Sequence, residues 1–221
     1  MSSLDLAQAV AALDAEYSAI DGVVGAMGAE ELAEPSGCRG WSRADLLFHM
    51  LLDAQRALVT LHSPVPGPPD EDFVSYWRGF SSSDERAQAH ARFVRTVAAA
   101  HSSPKGIVGR WLETSAAARD AASAAVAGFV TTQGHVLATA DFVATLVVEA
   151  TVHHLDLVGA PPPPAAALEL TTATLDGLLG APRPPAWDDV TYLRKATGRE
   201  ALTEEDRAAL GAAASSVPVF S

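Results

Sequence analysis

Residues 147–157 read VVEATVHHLDL, an apolar run that carries one acid, two histidines and a second acid. Burying such groups without partners costs several kcal/mol, so they must meet other polar groups. At about 100° per residue, Glu149, His153 and Asp156 share one side of a helix, and His154 points about 100° away. The run therefore predicts a mostly buried helix whose polar side faces polar groups in a bundle or a cleft.

The rest of the chain reads as helices separated by proline and glycine. Ser42 followed by Asp45 indicates a helix start, and GAPPPP at 159–164 ends the helix that holds the opening run. Helices are predicted at about 4–27, 42–61, 83–100, 107–128, 140–158, 165–180 and 187–197, with one more starting at TEED (203–206). The other segments are a loop at 62–72, a brief extended turn at 131–136 and a hinge at 180–187.

No convincing run of alternating strands and no internal repeat interrupts this pattern. The predicted fold is all-α: a four-helix bundle over residues 1–160, with a small, mainly helical C-terminal extension at 161–221 packed on it.

Composition narrows the classes of function. The 221 residues are 48% hydrophobic and 19% charged, as in globular proteins, and the formal net charge is −12. An acidic chain without a Lys/Arg cluster is a poor candidate for binding nucleic acid or anionic membranes. One cysteine allows no intramolecular disulfide, the N-terminus lacks the features of a signal peptide, and no apolar stretch is long enough for a membrane span. We therefore expect a cytoplasmic protein.

Glu149 and His153 lie one helical turn apart, with Cβ atoms about 5–6 Å from each other. A carboxylate and an imidazole at this spacing form half of a transition-metal site. The alternative is a hydrogen-bonded pair with a purely structural role. A third ligand could come from His49, which lies with Asp45 and Asp53 on a polar stripe of its helix. The alternative for His49 is a half-exposed helical histidine.

Two segments carry a resemblance to a known family. CRGWSRADLLFH at 38–49 resembles the C-x-G-W-[ST]-x-x-D-[LV]-x-x-H signature of the DinB-like superfamily, in particular its mycothiol-dependent maleylpyruvate isomerase branch. VVEATVHHLDL resembles the second signature of that branch, E-x-x-x-H-x-x-D-[LV]. The order of the two segments and their separation of about a hundred residues also fit, and the resemblance covers roughly residues 5–160.

The resemblance implies a DinB-like four-helix bundle that holds one divalent metal ion, usually zinc. Carried over by position, the metal ligands are His49, Glu149 and His153. Asp156 matches the acid of the second signature and is expected to orient a ligand. Trp41 is expected to pack near the helix start.

The resemblance weakens after residue 160, where the isomerases have a longer C-terminal α/β domain. LRKATGRE at 193–200 still resembles a leucine–threonine–glycine–arginine stretch of relatives. Arg199 could therefore anchor a carboxylate or a thiol cofactor; the alternative is a surface arginine.

The implied function is that of an enzyme, a metal-dependent S-transferase or isomerase. It would use a low-molecular-weight thiol, mycothiol by preference, as cosubstrate and act on a small electrophile. Two histidines and a glutamate leave a coordination position open, as in catalytic zinc sites. A metal-dependent hydrolase and a non-catalytic metal- or ligand-binding bundle are the alternatives, and a homodimer is left open.

Cys38 is expected to be a small core residue and not a ligand. It lies four residues before the proposed cap Ser42, and His49 lies about two turns, or roughly 10 Å, beyond that cap. Cys38 would therefore reach the metal only if the chain folded back, and the reacting sulfur is expected to come from an external thiol.

Overall fold

The computed structural model describes residues 4–79 and 85–220. Its α-helices, in chain order, are α1 (Leu6–Ala26), α2 (Ala29–Ala33), α3 (Arg43–Leu61), α4 (Glu85–Ala99), α5 (Pro104–Ser123), α6 (Thr139–Asp156), α7 (Ala165–Leu179), α8 (Asp189–Ala196) and α9 (Glu204–Leu210). Strands β1 (Phe129–Thr132) and β2 (His135–Ala138) pair as an antiparallel hairpin. Short 3-10 helices cover Ser75–Gly79 and Gly211–Ser216. The prediction of an all-α fold is confirmed.

Helices α1, α3, α5 and α6 form the four-helix bundle. Helix α1 packs against α5 and α6, and α3 packs against the same two helices from the other side. Their apolar faces meet in one core, in which Tyr17 and Trp111 contact each other edge to face at 5.2 Å between ring centroids. Burial of these faces supplies the main driving force for the fold. Helix α4 packs outside the bundle, against α3.

The predicted start signals act where they were expected. The Ser42 hydroxyl accepts from the backbone N–H of Asp45, and the Asp45 carboxylate accepts from the N–H of Ser42, which is a complete capping box. Thr203 and Asp206 form the same arrangement at the start of α9. These local bonds satisfy N–H groups that have no partner within the helix. They also fix where α3 begins, and with it the position of His49 along the bundle.

Several boundaries differ from the prediction, including the end of α5, which lies at Ser123 instead of residue 128. Helix α5 begins at Pro104, earlier than residue 107, because a proline is tolerated in the first turn of a helix. The turn at 131–136 extends into a full hairpin, since Gln133 (φ 49°) and Gly134 (φ 90°) adopt the left-handed backbone of a two-residue turn. The short helix α2 was not predicted. The predicted start of a helix at residue 83 lies outside the described residues.

The C-terminal residues pack onto the bundle through α7, which contacts α1 and α6, while α8 contacts α6 and α7. Near the end of the chain, the Phe220 ring stacks on Trp77 with centroids 4.8 Å apart. The division into a bundle at 1–160 and an extension at 161–221 stays a prediction. Among the helices in residues 4–79 and 85–220, none is long and apolar enough to cross a membrane.

Candidate metal centre

Helix α6 directs its two neighbouring histidines to different sides. His153 faces α3 together with Glu149, whereas His154 is buried in the core, where its Nδ1 lies 2.7 Å from Glu16 Oε1 of α1. The 100° step between consecutive helical residues accounts for this division. Glu149 and His154 of the opening run thus have different partners. The pairing of His154 with Glu16 was not predicted.

Helix α3 brings His49 to the polar side of α6. His49 Nε2 lies 2.9 Å from Glu149 Oε1, and His153 Nε2 lies 3.4 Å from the same oxygen. Ligand atoms about 2.1 Å from a tetrahedral zinc ion lie roughly 3.4 Å from one another, so these spacings fit a shared metal ion after small shifts. The predicted residues His49, Glu149 and His153 therefore come together in the structure.

The three donor side chains are open to small molecules from solvent. They retain 16%, 22% and 12% exposure for His49, Glu149 and His153, respectively. Three protein donors with access to solvent match a site that also binds an exogenous group.

The electrostatics of this cluster favour the ionised form of Glu149 and the protonated form of His153. Burial alone would raise the pKa of Glu149, but hydrogen bonds from His153 and His49 outweigh it and hold the pKa well below its usual range. Burial alone would lower the pKa of His153, and its hydrogen bonds to Asp156, Cys38 and Glu149 raise it well above the usual value instead. The same negative charge on Glu149 that stabilises protons on the neighbouring imidazole would also attract a divalent cation placed between these groups.

Asp156 lies on the far side of the His153 ring. Its Oδ2 is 2.9 Å from His153 Nδ1, and its side chain is only 2% exposed. The Arg199 guanidinium donates to both carboxylate oxygens, from Nε to Oδ1 at 2.9 Å and from Nη2 to Oδ2 at 2.7 Å. Burial would raise the pKa of Asp156, but His153 and Arg199 hold it below its usual range. Arg199 is thus a half-buried partner of Asp156, not a free surface arginine.

Cys38 lies beside Asp156 and His153, which corrects the expectation that it is too far from the candidate metal ligands to reach them. Its Sγ is 3.2 Å from Asp156 Oδ2 and 3.7 Å from His153 Nδ1. The loop before α3 folds back onto the end of α6, where the Gly37 N–H donates to the backbone oxygen of Asp156 at 2.8 Å. A Cβ on residue 37 would lie 2.6 Å from Asp156 Oδ1, so only glycine permits this approach.

Cys38, His153 Nδ1 and Asp156 form a second set of donors within metal-binding distance of one another. Arg199 already occupies both oxygens of Asp156, so a cation in this set would face a fixed positive charge at close range. His49, Glu149 and His153 Nε2 have no such cation among their hydrogen-bond partners in the described residues. The chemistry of the donors therefore favours the first set.

His90 of α4 also reaches the site and was not selected from the sequence. Its Nε2 lies 3.1 Å from His49 Nδ1, and the two rings meet nearly edge to face at 5.2 Å. Partial desolvation and the neighbouring His49 lower the pKa of His90, although the residue stays exposed. No local sequence signal marks His90, because it lies in a charged segment outside both signatures. Trp41, expected to pack near the start of α3, lies with its ring centroid 5.3 Å from that of His49.

The predicted polar stripe on α3 serves three separate purposes. Asp45 caps the helix, His49 faces Glu149, and Asp53 pairs with Arg56 at 2.7 Å. Burial raises the pKa of Asp53 despite Arg56, and the charge of Glu149 adds to this shift. Asp53 and Arg56 thus extend the polar interior from the candidate metal centre along α3.

A cleft of about 430 Å³ opens next to Asp156 and Arg199, between the C-terminal end of α6 and α8. Arg194 and Glu200 supply its other charged walls, and the segment 157–162 supplies apolar ones. A larger groove of about 830 Å³ between α1 and α5 is lined by none of the candidate site residues.

Exchanging Asp156 for asparagine should weaken metal binding by roughly 10–100-fold, because the group that orients His153 loses its charge. An asparagine keeps nearly the same shape, so the variant should retain the helical circular dichroism of the parent. Zinc affinity measured by competition with a chromophoric chelator tests this. An affinity equal to that of the parent would show that Asp156 does not orient a metal ligand. Its role would then be structural, at the end of α6, where it pairs with Arg199.

Comparisons with known proteins find a matching family model and matching solved structures. The family model of the mycothiol maleylpyruvate isomerase N-terminal domain matches residues 13–158. A crystal structure of the mycothiol-dependent maleylpyruvate isomerase matches with a TM-score of 0.55 at 16% identity, over 78% of this chain and 70% of that chain. A histidine-to-alanine mutant of that enzyme matches with a TM-score of 0.54 at 15% identity and the same coverage. At these identities the two structures show a shared fold. No curated protein matches the chain.

The family match includes both signatures and the donors on α3 and α6, whereas Arg199 lies beyond it. It covers more than half of the chain, and the matched structures share the helical fold. The chain therefore belongs to the family of the mycothiol maleylpyruvate isomerase N-terminal domain.

Proposed function

We propose that the protein holds one divalent metal ion, preferably zinc, through His49 Nε2, Glu149 and His153 Nε2. The observation that carries this proposal is the convergence of these three donor atoms from two helices, at spacings close to the edges of a tetrahedral zinc site. The preference for this set over Cys38 and Asp156 rests on the Arg199 guanidinium, which already binds the Asp156 carboxylate.

We further propose that the protein is a thiol-dependent enzyme, with mycothiol as cosubstrate. A zinc ion bound in an open site lowers the pKa of a coordinated thiol and holds it as the thiolate at neutral pH. The protein's own residues would orient the site: Asp156 accepts from His153 Nδ1, Arg199 fixes Asp156, and Trp41 packs beside His49.

The reaction class follows from thiolate chemistry. The sulfur adds to an electrophilic carbon of a small substrate. In an isomerase, the addition turns a double bond into a single bond, rotation follows, and elimination returns the thiol. In an S-transferase, the sulfur–carbon bond is kept in the product, while the substrate loses a leaving group, such as the chloride of chlorodinitrobenzene, and the thiol proton is released. The names of the matched structures favour isomerisation of a maleylpyruvate-like substrate, and S-transfer is the second proposal.

We assign two roles to Arg199, one toward Asp156 and one toward the substrate. Three of its nitrogen atoms are engaged, two with Asp156 and Nη1 with the Thr197 carbonyl at 3.3 Å. We propose that it positions Asp156 in the resting protein and offers its exposed side to a substrate carboxylate. We also propose a cytoplasmic location, since a lone thiol beside a metal-binding cluster is kept reduced there.

A direct assay tests the proposed function. The purified protein is loaded with zinc and given mycothiol with either maleylpyruvate or chlorodinitrobenzene. We expect isomer formation or thiol consumption that depends on both zinc and mycothiol. Hydrolysis products formed without mycothiol would instead indicate a hydrolase, and metal binding without turnover would indicate a binding protein.

Replacing Cys38 with serine should leave the thiol-dependent activity within about tenfold of the parent, because the reacting sulfur comes from mycothiol. Serine can still donate a hydrogen bond to Asp156, as the Cys38 thiol does at 3.2 Å. Activity is compared at equal zinc content. A folded, zinc-loaded C38S protein without activity would identify Cys38 as the nucleophile and refute the external-thiol mechanism.

A further inference from the structure

His49 is held between two groups, one at each ring nitrogen. Its Nε2 faces Glu149 at 2.9 Å, and its Nδ1 faces His90 Nε2 at 3.1 Å. The other histidine of the centre has the same arrangement, since His153 turns Nε2 to Glu149 and Nδ1 to Asp156. Each histidine thus has a partner at the nitrogen that points away from the donor cluster.

An imidazole that offers one nitrogen to a metal carries its proton on the other. Metal-binding histidines usually donate that N–H to an acceptor, which fixes the tautomer and the orientation of the ring. Asp156 supplies this acceptor for His153 within the second signature. For His49, the described residues place His90 Nε2 within hydrogen-bond distance of Nδ1, and His90 comes from α4, outside both signatures.

We propose that His90 is a positioning residue of the metal centre: its Nε2 accepts the Nδ1–H of His49 and keeps the Nε2 lone pair of His49 directed at the metal. This inference rests on the proposed metal site. It assigns to α4, which packs on α3 outside the bundle, a direct influence on metal affinity.

The position of His90 makes the idea testable without loss of the fold. His90 lies on the exposed side of the chain, so replacing it opens no cavity in the core. Glutamine retains an acceptor oxygen, whereas alanine does not. His62 gives a matched control: it is also exposed, and its Nδ1 lies 2.8 Å from the Leu58 carbonyl of its own helix.

The experiment compares H90A, H90Q and H62A with the parent in two measurements: zinc affinity by chelator competition, and the visible spectrum of the cobalt-substituted protein. We expect H90A to bind zinc roughly 10–100-fold more weakly and to shift the cobalt bands, because His49 loses its orientation. H90Q should recover most of the affinity, and H62A should match the parent. The free energy of unfolding of the metal-free variants should stay unchanged.

Two results would overturn the inference alone: an H90A protein with the affinity and cobalt spectrum of the parent, or an H90Q protein as weak as H90A. A parent protein that binds neither zinc nor cobalt would overturn the inference together with the proposed metal site. The behaviour of the parent therefore separates the two failures.

Discussion

Replacing His49 with alanine should reduce zinc affinity by more than about 100-fold, since loss of a ligand costs more than loss of a group that orients one. His49 is the donor that α3 contributes, and without it Glu149 and His153 remain as two ligands on one helix. Two-donor sites rarely compete with buffer and water. Elemental analysis of the dialysed variant should therefore find almost no zinc, against about one ion per chain in the parent.

His135 offers a matched control for this prediction. It lies on β2, its side chain is 43% exposed, and its Nδ1 lies 3.8 Å from Asp70 Oδ1. The H135A protein should retain the zinc content of the parent. Full occupancy in H49A would place the metal elsewhere, and an equal loss in both variants would indicate binding by exposed histidines.

Replacing His154 with alanine should lower the free energy of unfolding by about 3–5 kcal/mol, because it leaves the Glu16 carboxyl group buried without its partner. Glu16 is 0% and His154 is 1% exposed, and their side chains meet at 2.7 Å. The other two polar atoms of the pair, Glu16 Oε2 and His154 Nε2, have no hydrogen-bond partner in the described residues. Urea unfolding of the metal-free protein measures the loss, while the folded H154A protein should still bind zinc.

A double variant separates the pair from its surroundings. Leucine at both Glu16 and His154 removes both polar groups at once, and such replacements of buried ion pairs are often neutral or stabilising. The double variant should therefore be more stable than either single leucine variant. Strictly additive losses would show that the two side chains do not depend on each other.

The helical features of the site were predictable because they depend on local geometry. The step of about 100° per residue separates His153 from His154 regardless of what surrounds them. In the same way, the capping box at Ser42 and Asp45 follows from residues three apart, and it fixes the start of the helix that carries His49.

The missed features depend on contacts between distant parts of the chain. Cys38 approaches Asp156 because the loop before α3 is bound to the end of α6, through the Gly37 N–H. The prediction measured distance along a helix and could not include this return of the chain. His90 lies 41 residues from His49, and only the packing of α4 on α3 brings the two rings together. Arg199 was selected only through the resemblance; its pairing with Asp156 is a tertiary contact.

The central claim is that the protein supplies two imidazoles and one carboxylate to the metal and that the sulfur arrives with mycothiol. X-ray absorption at the zinc edge tests it most directly, on the zinc-loaded protein before and after mycothiol is added. Without thiol, we predict nitrogen and oxygen neighbours at about 2.0–2.2 Å and no sulfur; with mycothiol, one sulfur should appear at about 2.3 Å. A zinc–sulfur distance in the thiol-free protein that disappears in C38S would place the metal at Cys38 and contradict the account.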